Sequence, residues 1–304
     1  MHGEVIPVRG KGLYVEIHGP ADAPPVLYLH GGPGEGCYEF MAHQAKRLSR
    51  SLMLIGIDQR GVWRSEEIRE EEHLSLDDLV EDCRELQKIL AIEKWSVIGH
   101  SFGGMLGVLY ALKDPDHIQC LVCEGPSFDF VLSVKSMLNK AAAVHEELGN
   151  DAMAAECRRM AGGSLPPAEL FDAYLRLSRE LGEHRMKIYA PGGIDNYAGV
   201  EEQFPRDALE EYRRKSNIHF QKLIREGAIF ESLLPRLKEL NVPVLLIKGK
   251  HDPVICDIQT EAFLRDVSGG TLILYEHCGH LPHCEDADRF AEDVASFILR
   301  PPGS

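Results

Sequence analysis

Residues 95–110 read WSVIGHSFGGMLGVLY, and no other stretch restricts the fold as much. Trp95, Val97 and Ile98 are aromatic or β-branched and predict a short strand. Gly99-His100-Ser101-Phe102-Gly103, with Gly104 behind it, predicts a sharp turn. Met105, Leu106, Val108, Leu109, Ala111 and Leu112 then run apolar nearly all round, which predicts a buried helix. Gly99 and Gly103 have no Cβ and let strand and helix approach closely. Ser101 is expected in a strained conformation, its Oγ clear of the sheet. The helix N-terminus aims amide N–H groups at the same point, so negative charge developing beside Ser101 is stabilised there. A serine between glycines is usually only a turn; the apolar strand and helix on its flanks give this one meaning.

The rest of the chain repeats the strand–helix alternation. Glu4 to Arg9 and Leu13 to His18 alternate apolar and polar around Gly10-Lys11-Gly12, a hairpin at a sheet edge. Pro25 to Leu29 and Leu52 to Ile57 are continuous apolar runs of the kind buried on both faces. Met41 to Leu48 and Ser75 to Ile92 read as helices, the latter with Ser75 and Asp78 placed as a capping pair. Further strands are predicted at Cys120 to Cys123, Val242 to Lys248 and Thr271 to Tyr275, and further helices at Thr260 to Val267 and Glu285 to Leu299. Between about Ser127 and Leu240 the pattern changes to helical periodicity broken by Gly and Pro, with no buried-strand run. The expected organisation is a core of residues 1–126 and 241–304 and an inserted helical cap of residues 127–240. Strands alternating with helices imply a mostly parallel, doubly wound sheet, here of eight strands, in which chemistry gathers at the strands' carboxyl ends.

Four loops fall at those ends: His30 to Gly34, Ser101, Asp252 and His280. A serine hydroxyl is a weak nucleophile and needs a general base, itself oriented by a carboxylate. Ser101, Asp252 and His280 supply one of each. His280 takes the Ser101 proton and returns it to the leaving group, and Asp252 holds the imidazole tautomer. The backbone N–H groups of Gly32 and Phe102 are the expected oxyanion donors, and His30, Gly31 and His100 are expected to contact substrate. Asp129 is a competing acid. Asp58 and Arg60 are read as fixing the Asp58 to Gly61 loop by hydrogen bonds and an ion pair. The cluster His277, Cys278, His280, His283, Cys284 also raises a zinc site, but its spacing matches no standard pair of ligand knuckles. Cys120-x-x-Cys123 lies on a predicted strand, where residues three apart face opposite sides, and reads as core.

Composition removes several alternatives. A net charge of −15 over 304 residues disfavours nucleic acid and anionic membrane surfaces. No segment approaches the roughly 20 apolar residues of a membrane span. The start of the chain lacks a charged region followed by an apolar one, and eight scattered cysteines form no disulfide framework, so a cytoplasmic setting is expected. No cofactor and no metal is called for; the implied partner is a small-molecule or short-peptide substrate, and the oligomeric state stays open.

Taken together, His30-Gly31-Gly32-Pro33-Gly34, Asp58-Gln59-Arg60-Gly61, Gly99 to Gly104, Asp252 and Gly279-His280 resemble the α/β-hydrolase superfamily and, within it, the proline iminopeptidase group. The resemblance implies an α/β-hydrolase fold with a helical cap, a serine hydrolase forming an acyl-enzyme on a small ester or amide, and a cis Gly32-Pro33 bond. In that group glutamates of the cap, one of them in an E-N-H-Y-F-like stretch, hold the substrate's free amine. Here the matching stretch is Ser216-Asn217-Ile218-His219-Phe220, with serine in the glutamate's place. Glu201, Glu202, Glu210, Glu211 and Glu231 are the carboxylates nearby in sequence. Release of an N-terminal proline, carboxylesterase or lactonase action, and a binding protein built on the same scaffold are the readings this leaves.

Overall fold

The computed structural model describes residues 3–193 and 203–300; Glu201 and Glu202 lie outside the described residues. Eight strands form one sheet: β1 (Glu4–Val8), β2 (Lys11–His18), β3 (Pro25–Leu29), β4 (Met53–Ile57), β5 (Trp95–His100), β6 (Ile118–Glu124), β7 (Val244–Gly249) and β8 (Thr271–Tyr275), in the spatial order β1-β2-β4-β3-β5-β6-β7-β8. The β1–β2 and β2–β4 pairs are antiparallel and the other five parallel. From β3 the chain steps to β4 on one side and then returns to place β5 on the other. The crevice between the carboxyl ends of β3 and β5 is therefore the topological switch point, where ligands bind in open sheets of this kind.

Helices cover both faces. One apolar cluster joins the inward side chains of the sheet to α2 (Leu76–Ile89) and α3 (Phe102–Lys113); the other joins them to α1 (Tyr38–Leu48) and the closing helix described below. Strand alternation sorts the two cysteines of β6 between these clusters, Cys123 into the first and Cys120 into the second. α2 begins where its cap dictates: Ser75 accepts the Asp78 N–H, and Asp78 returns a bond to the Ser75 N–H. The Asp58–Gly61 loop is fixed by two separate ion pairs. Asp58 holds Arg64 at 2.7 Å, whereas Arg60 reaches Asp82 on α2.

Between β6 and β7 the described residues form α4 (Phe130–Glu147), α5 (Asp151–Gly162), α6 (Pro167–Arg179) and α7 (Arg206–Glu226), with short 3₁₀ turns. Their apolar faces join the first sheet cluster through Phe130, Met137, Leu138, Phe171, Tyr174 and Leu223. α8 (Asp257–Asp266) follows β7. A short α9 (Pro282–Glu285) precedes the expected last helix, α10 (Ala287–Leu299), and Asp286, outside helical geometry at φ −142°, separates the two. No described helix is long and apolar enough to cross a membrane. All eight cysteines are free.

Candidate active site

The turn after β5 is built by steric exclusion. Ser101 has φ 54° and ψ −116°, a region that non-glycine residues rarely occupy. A Cβ on Gly99 would lie 2.3 Å from the Gly103 carbonyl oxygen, and one on Gly103 would lie 2.0 Å from that of Leu29. No side chain fits at either position, so the backbone is pressed into the conformation that lifts Ser101 out of the sheet. The Ser101 N–H donates to the Glu124 carbonyl at 2.9 Å, and its carbonyl accepts from Gly104 N–H at 3.0 Å.

Asp252 and His280 come from the ends of β7 and β8. His280 Nδ1 donates to Asp252 Oδ2 at 3.0 Å, and Asp252 Oδ1 accepts the Val254 N–H at 2.7 Å. Gly125, at φ 49°, makes room for this pair: a Cβ there would stand 2.6 Å from Asp252 Oδ2 and 2.8 Å from His280 Nδ1. Burial lowers the proton affinity of His280. The charge and hydrogen bond of Asp252, with Glu35 and Glu124 behind them, outweigh it and hold the imidazole above its usual value. The loop around His280 is bonded from three sides. Its N–H donates to the Tyr189 carbonyl of the inserted segment at 2.7 Å. Its carbonyl accepts from His100 Nε2 at 3.1 Å. The Glu285 carboxylate takes the N–H groups of Gly279 and Leu281.

Ser101, His280, Gly32 and Phe102 all line one cavity of about 360 Å³ at the switch point. The Gly32–Pro33 bond in its wall is cis. The lining is mostly apolar, and much of it comes from the inserted helices: Phe130, Met137, Phe171, Leu175, Phe220. Among the described residues that line it, Glu35 is the one carboxylate and Arg185 the one cationic side chain other than histidine. Glu35 is open to water yet enclosed by protein, as befits a group projecting into a chamber, and that enclosure raises its pKa while His280 opposes the rise.

Of the expected substrate contacts, His100 lines the cavity, but its Nε2–H is committed to the His280 carbonyl and burial keeps the ring neutral. His30 and Gly31 are placed otherwise: neither is among the lining residues. His30 is fully buried, with Nδ1 on the Gly31 carbonyl and Nε2 accepting the Gln59 N–H, so it braces two strand-end loops instead of meeting substrate. Burial lowers its pKa to about 4. Asp129 caps α4 by accepting the Leu132 N–H at 2.9 Å. The five-residue zinc cluster does not assemble as a unit; His280 is engaged with Asp252, while His283 and Cys284 face Glu39. Three residues near the site escaped the sequence reading: Glu35, which looks like any acid after a glycine turn, Gly125, and Glu124.

The alpha/beta hydrolase fold family matches this chain over residues 24–287. The chain belongs to that family. Within it the chain falls in the proline iminopeptidase-like group: the proline iminopeptidase of Heyndrickxia coagulans is 30% identical over 282 residues, 90% of each chain. The crystal structure of proline iminopeptidase from Mycobacterium smegmatis superposes with TM-score 0.73 at 20% identity over 98% of both chains. The enol-lactonase from Burkholderia xenovorans LB400 superposes with TM-score 0.63 at 21% identity, over 97% of this chain and 100% of that one. This α/β hydrolase is thus an enzyme whose fold serves both peptidases and lactonases, and the contents of its cavity bear on which chemistry it performs.

Proposed function

We propose that this α/β hydrolase cleaves small amides or esters of amino acids with a free amine, through an acyl-enzyme on Ser101. His280 Nε2 removes the Ser101 Oγ proton as Oγ attacks the carbonyl carbon. Asp252 keeps the other imidazole proton on Nδ1 and offsets the charge of the imidazolium. The N–H groups of Gly32 and Phe102 receive the oxyanion. Collapse breaks the bond to the leaving group, which departs with the proton from His280. Water then repeats the sequence in reverse roles and frees the acid and Ser101.

Glu35 is the observation that carries the choice of substrate. The group's usual cap glutamate is absent at Ser216, and Glu210, Glu211 and Glu231 are exposed, outside the cavity lining. Ser216 packs against Gly34: a Cβ on that glycine would lie 3.1 Å from the Ser216 carbonyl oxygen. The neighbouring Glu35 therefore brings a carboxylate to the same region from the loop side. In a largely apolar chamber it suits an ammonium group, with the apolar walls left for a compact ring or side chain. Residues 127–240 serve in this reading as the cap, supported by the helices that roof the cavity and by the Tyr189–His280 hydrogen bond.

The apolar lining also favours a second reading, an esterase or lactonase without need of an amine. Proline p-nitroanilide and a short-chain p-nitrophenyl ester, each with wild type, Ser101→Ala and Glu35→Gln, separate the two. Anilide turnover lost in Ser101→Ala, and weakened through a raised KM in Glu35→Gln, supports the aminoacyl reading. Ester turnover alone, indifferent to Glu35→Gln, selects the second. Tight ligand binding with no turnover of either would replace both with a binding protein.

A further inference from the structure

Beside the loop that carries His280, and outside the lining of the cavity, four side chains of metal-ligating type come from two elements. Glu39 and His43 stand one turn apart on α1, so they share a face of that helix. His283 and Cys284 are adjacent on α9. His283 Nε2 lies 2.8 Å from Glu39 Oε2, and the Cys284 thiol contacts Glu39 Oε1. Ligand atoms of these three residues all lie within 4.8 Å of one another. His43 Nε2 approaches Glu39 Oε1 to 3.5 Å; this nitrogen is buried and makes no hydrogen bond. We propose that Glu39, His43, His283 and Cys284 form a divalent-metal site of the zinc class that pins α1 to the loop carrying His280.

Three features fit that chemistry. The donor set is two imidazoles, a thiolate and a carboxylate, the borderline-soft mixture zinc takes. Zinc bonds of about 2.0–2.3 Å place tetrahedral ligand atoms roughly 3.3–3.8 Å apart; the ligand atoms of Glu39, His283 and Cys284 already lie within 4.8 Å of one another, and His43, 3.5 Å from Glu39, is the side chain that must move to complete the set. The second shell is already built: His283 Nδ1 meets both oxygens of the fully buried Glu124 at 2.9 Å, and the His283 N–H donates to the same carboxylate at 2.8 Å. A carboxylate on the far nitrogen fixes the ring orientation and tautomer that a metal-bound histidine needs.

Glu39, His43 and Cys284 are only partly buried, which gives the ion a path in.

The test uses the full, tag-free protein, stripped with a chelator and titrated with Co²⁺ and then Zn²⁺. One Co²⁺ per chain is expected, with a thiolate-to-cobalt charge-transfer band and the intense visible bands of four-coordinate cobalt, both removed by one equivalent of Zn²⁺. Zn²⁺ should raise Tm. His283→Ala risks misfolding, so Cys284→Ser and His43→Ala carry the test: the first abolishes the charge-transfer band, the second weakens cobalt binding at least about tenfold, and Glu124→Gln weakens it about 10–100-fold. Cobalt without the charge-transfer band, a band that survives Cys284→Ser, or Tm unmoved by Zn²⁺ would overturn the site. The cluster would then be a bridge between two carboxylates held by the His283 proton alone.

Discussion

The strand-end loops and the inserted helices meet across one cavity, and they are built on opposite principles. In the loops the backbone and the Asp252–His280 pair are held from several sides. Gly99, Gly103 and Gly125 sit where any Cβ would strike backbone or the Asp252–His280 pair, and Asp252 and His280 are each held by several hydrogen bonds. The roof offers apolar side chains, Phe130, Met137, Phe171 and Phe220, whose packing tolerates changes of shape. Under the proposed function the contrast puts reactivity in the loops and substrate choice in the roof, with the Tyr189 carbonyl on His280 N–H joining them. Glu35 crosses the division: it belongs to a loop and is proposed to select the substrate.

The largest expected effect lies in the loops. Ser101→Ala should cost roughly 10⁴–10⁶ in kcat. Its fold should be unchanged by circular dichroism, because the side chain contributes little to the packing of the turn. Retention of more than about a tenth of the wild-type rate would sink the nucleophile assignment. Asp252→Asn should follow, with a loss of about 10⁴ at neutral pH, because an amide can donate to Nδ1 and thereby favours the wrong tautomer of His280. Full activity in that variant would return the acid role to another carboxylate, and Asp129, bound to the first turn of α4, is poorly placed to take it.

Much of the fold beneath this division was legible in the sequence, for a physical reason. Pro25–Leu29 and Thr271–Tyr275 are short apolar runs bounded by turn residues, so their strand limits follow from composition alone. Ser101, Asp252 and His280 could be expected at one end of the sheet because each follows a strand, and a parallel sheet brings strand ends together without further information. What the sequence hid depends on side chains meeting across long separations. Arg60 could pair with any nearby acid, and only the packing of α2 selects Asp82. His30 looks like a substrate ligand until the Gln59 N–H is seen on its ring. The Glu39–His283 contact spans 244 residues. Gly125 carries no motif, and its purpose appears only when a Cβ is placed against Asp252 and His280.

Glu35→Gln tests whether a loop residue governs selection. A charge-assisted hydrogen bond contributes about 1.5–3 kcal/mol, which is roughly 10–150-fold in KM for a substrate with a free amine. The ester without an amine should keep its KM within about twofold. Equal losses on both substrates would mean that Glu35 supports the machinery instead, and the roof would recover sole charge of specificity. Phe220→Ala should do the reverse: small changes in kcat on the ester, and altered preference among acyl groups differing by a few carbons, about 1–3 kcal/mol per methylene at most.

The smallest effect separates the two duties of Glu35. The proposed reaction needs His280 unprotonated, and Asp252, Glu35 and Glu124 together hold its pKa above that of an ordinary imidazole against the lowering by burial. For an uncharged ester, kcat/KM should therefore rise with pH through a limb lying above the usual imidazole range. Removing a negative charge from beside the imidazole lowers its pKa, so Glu35→Gln should move that limb to lower pH while the plateau stays in place. Asp252→Asn, which removes the larger contribution, should move it further in the same direction on whatever activity remains. A limb that ignores Glu35→Gln would show that the carboxylate is electrically remote from His280. Glu35 would then act on substrate alone, and the boundary between reactivity and selection would run through the loop itself.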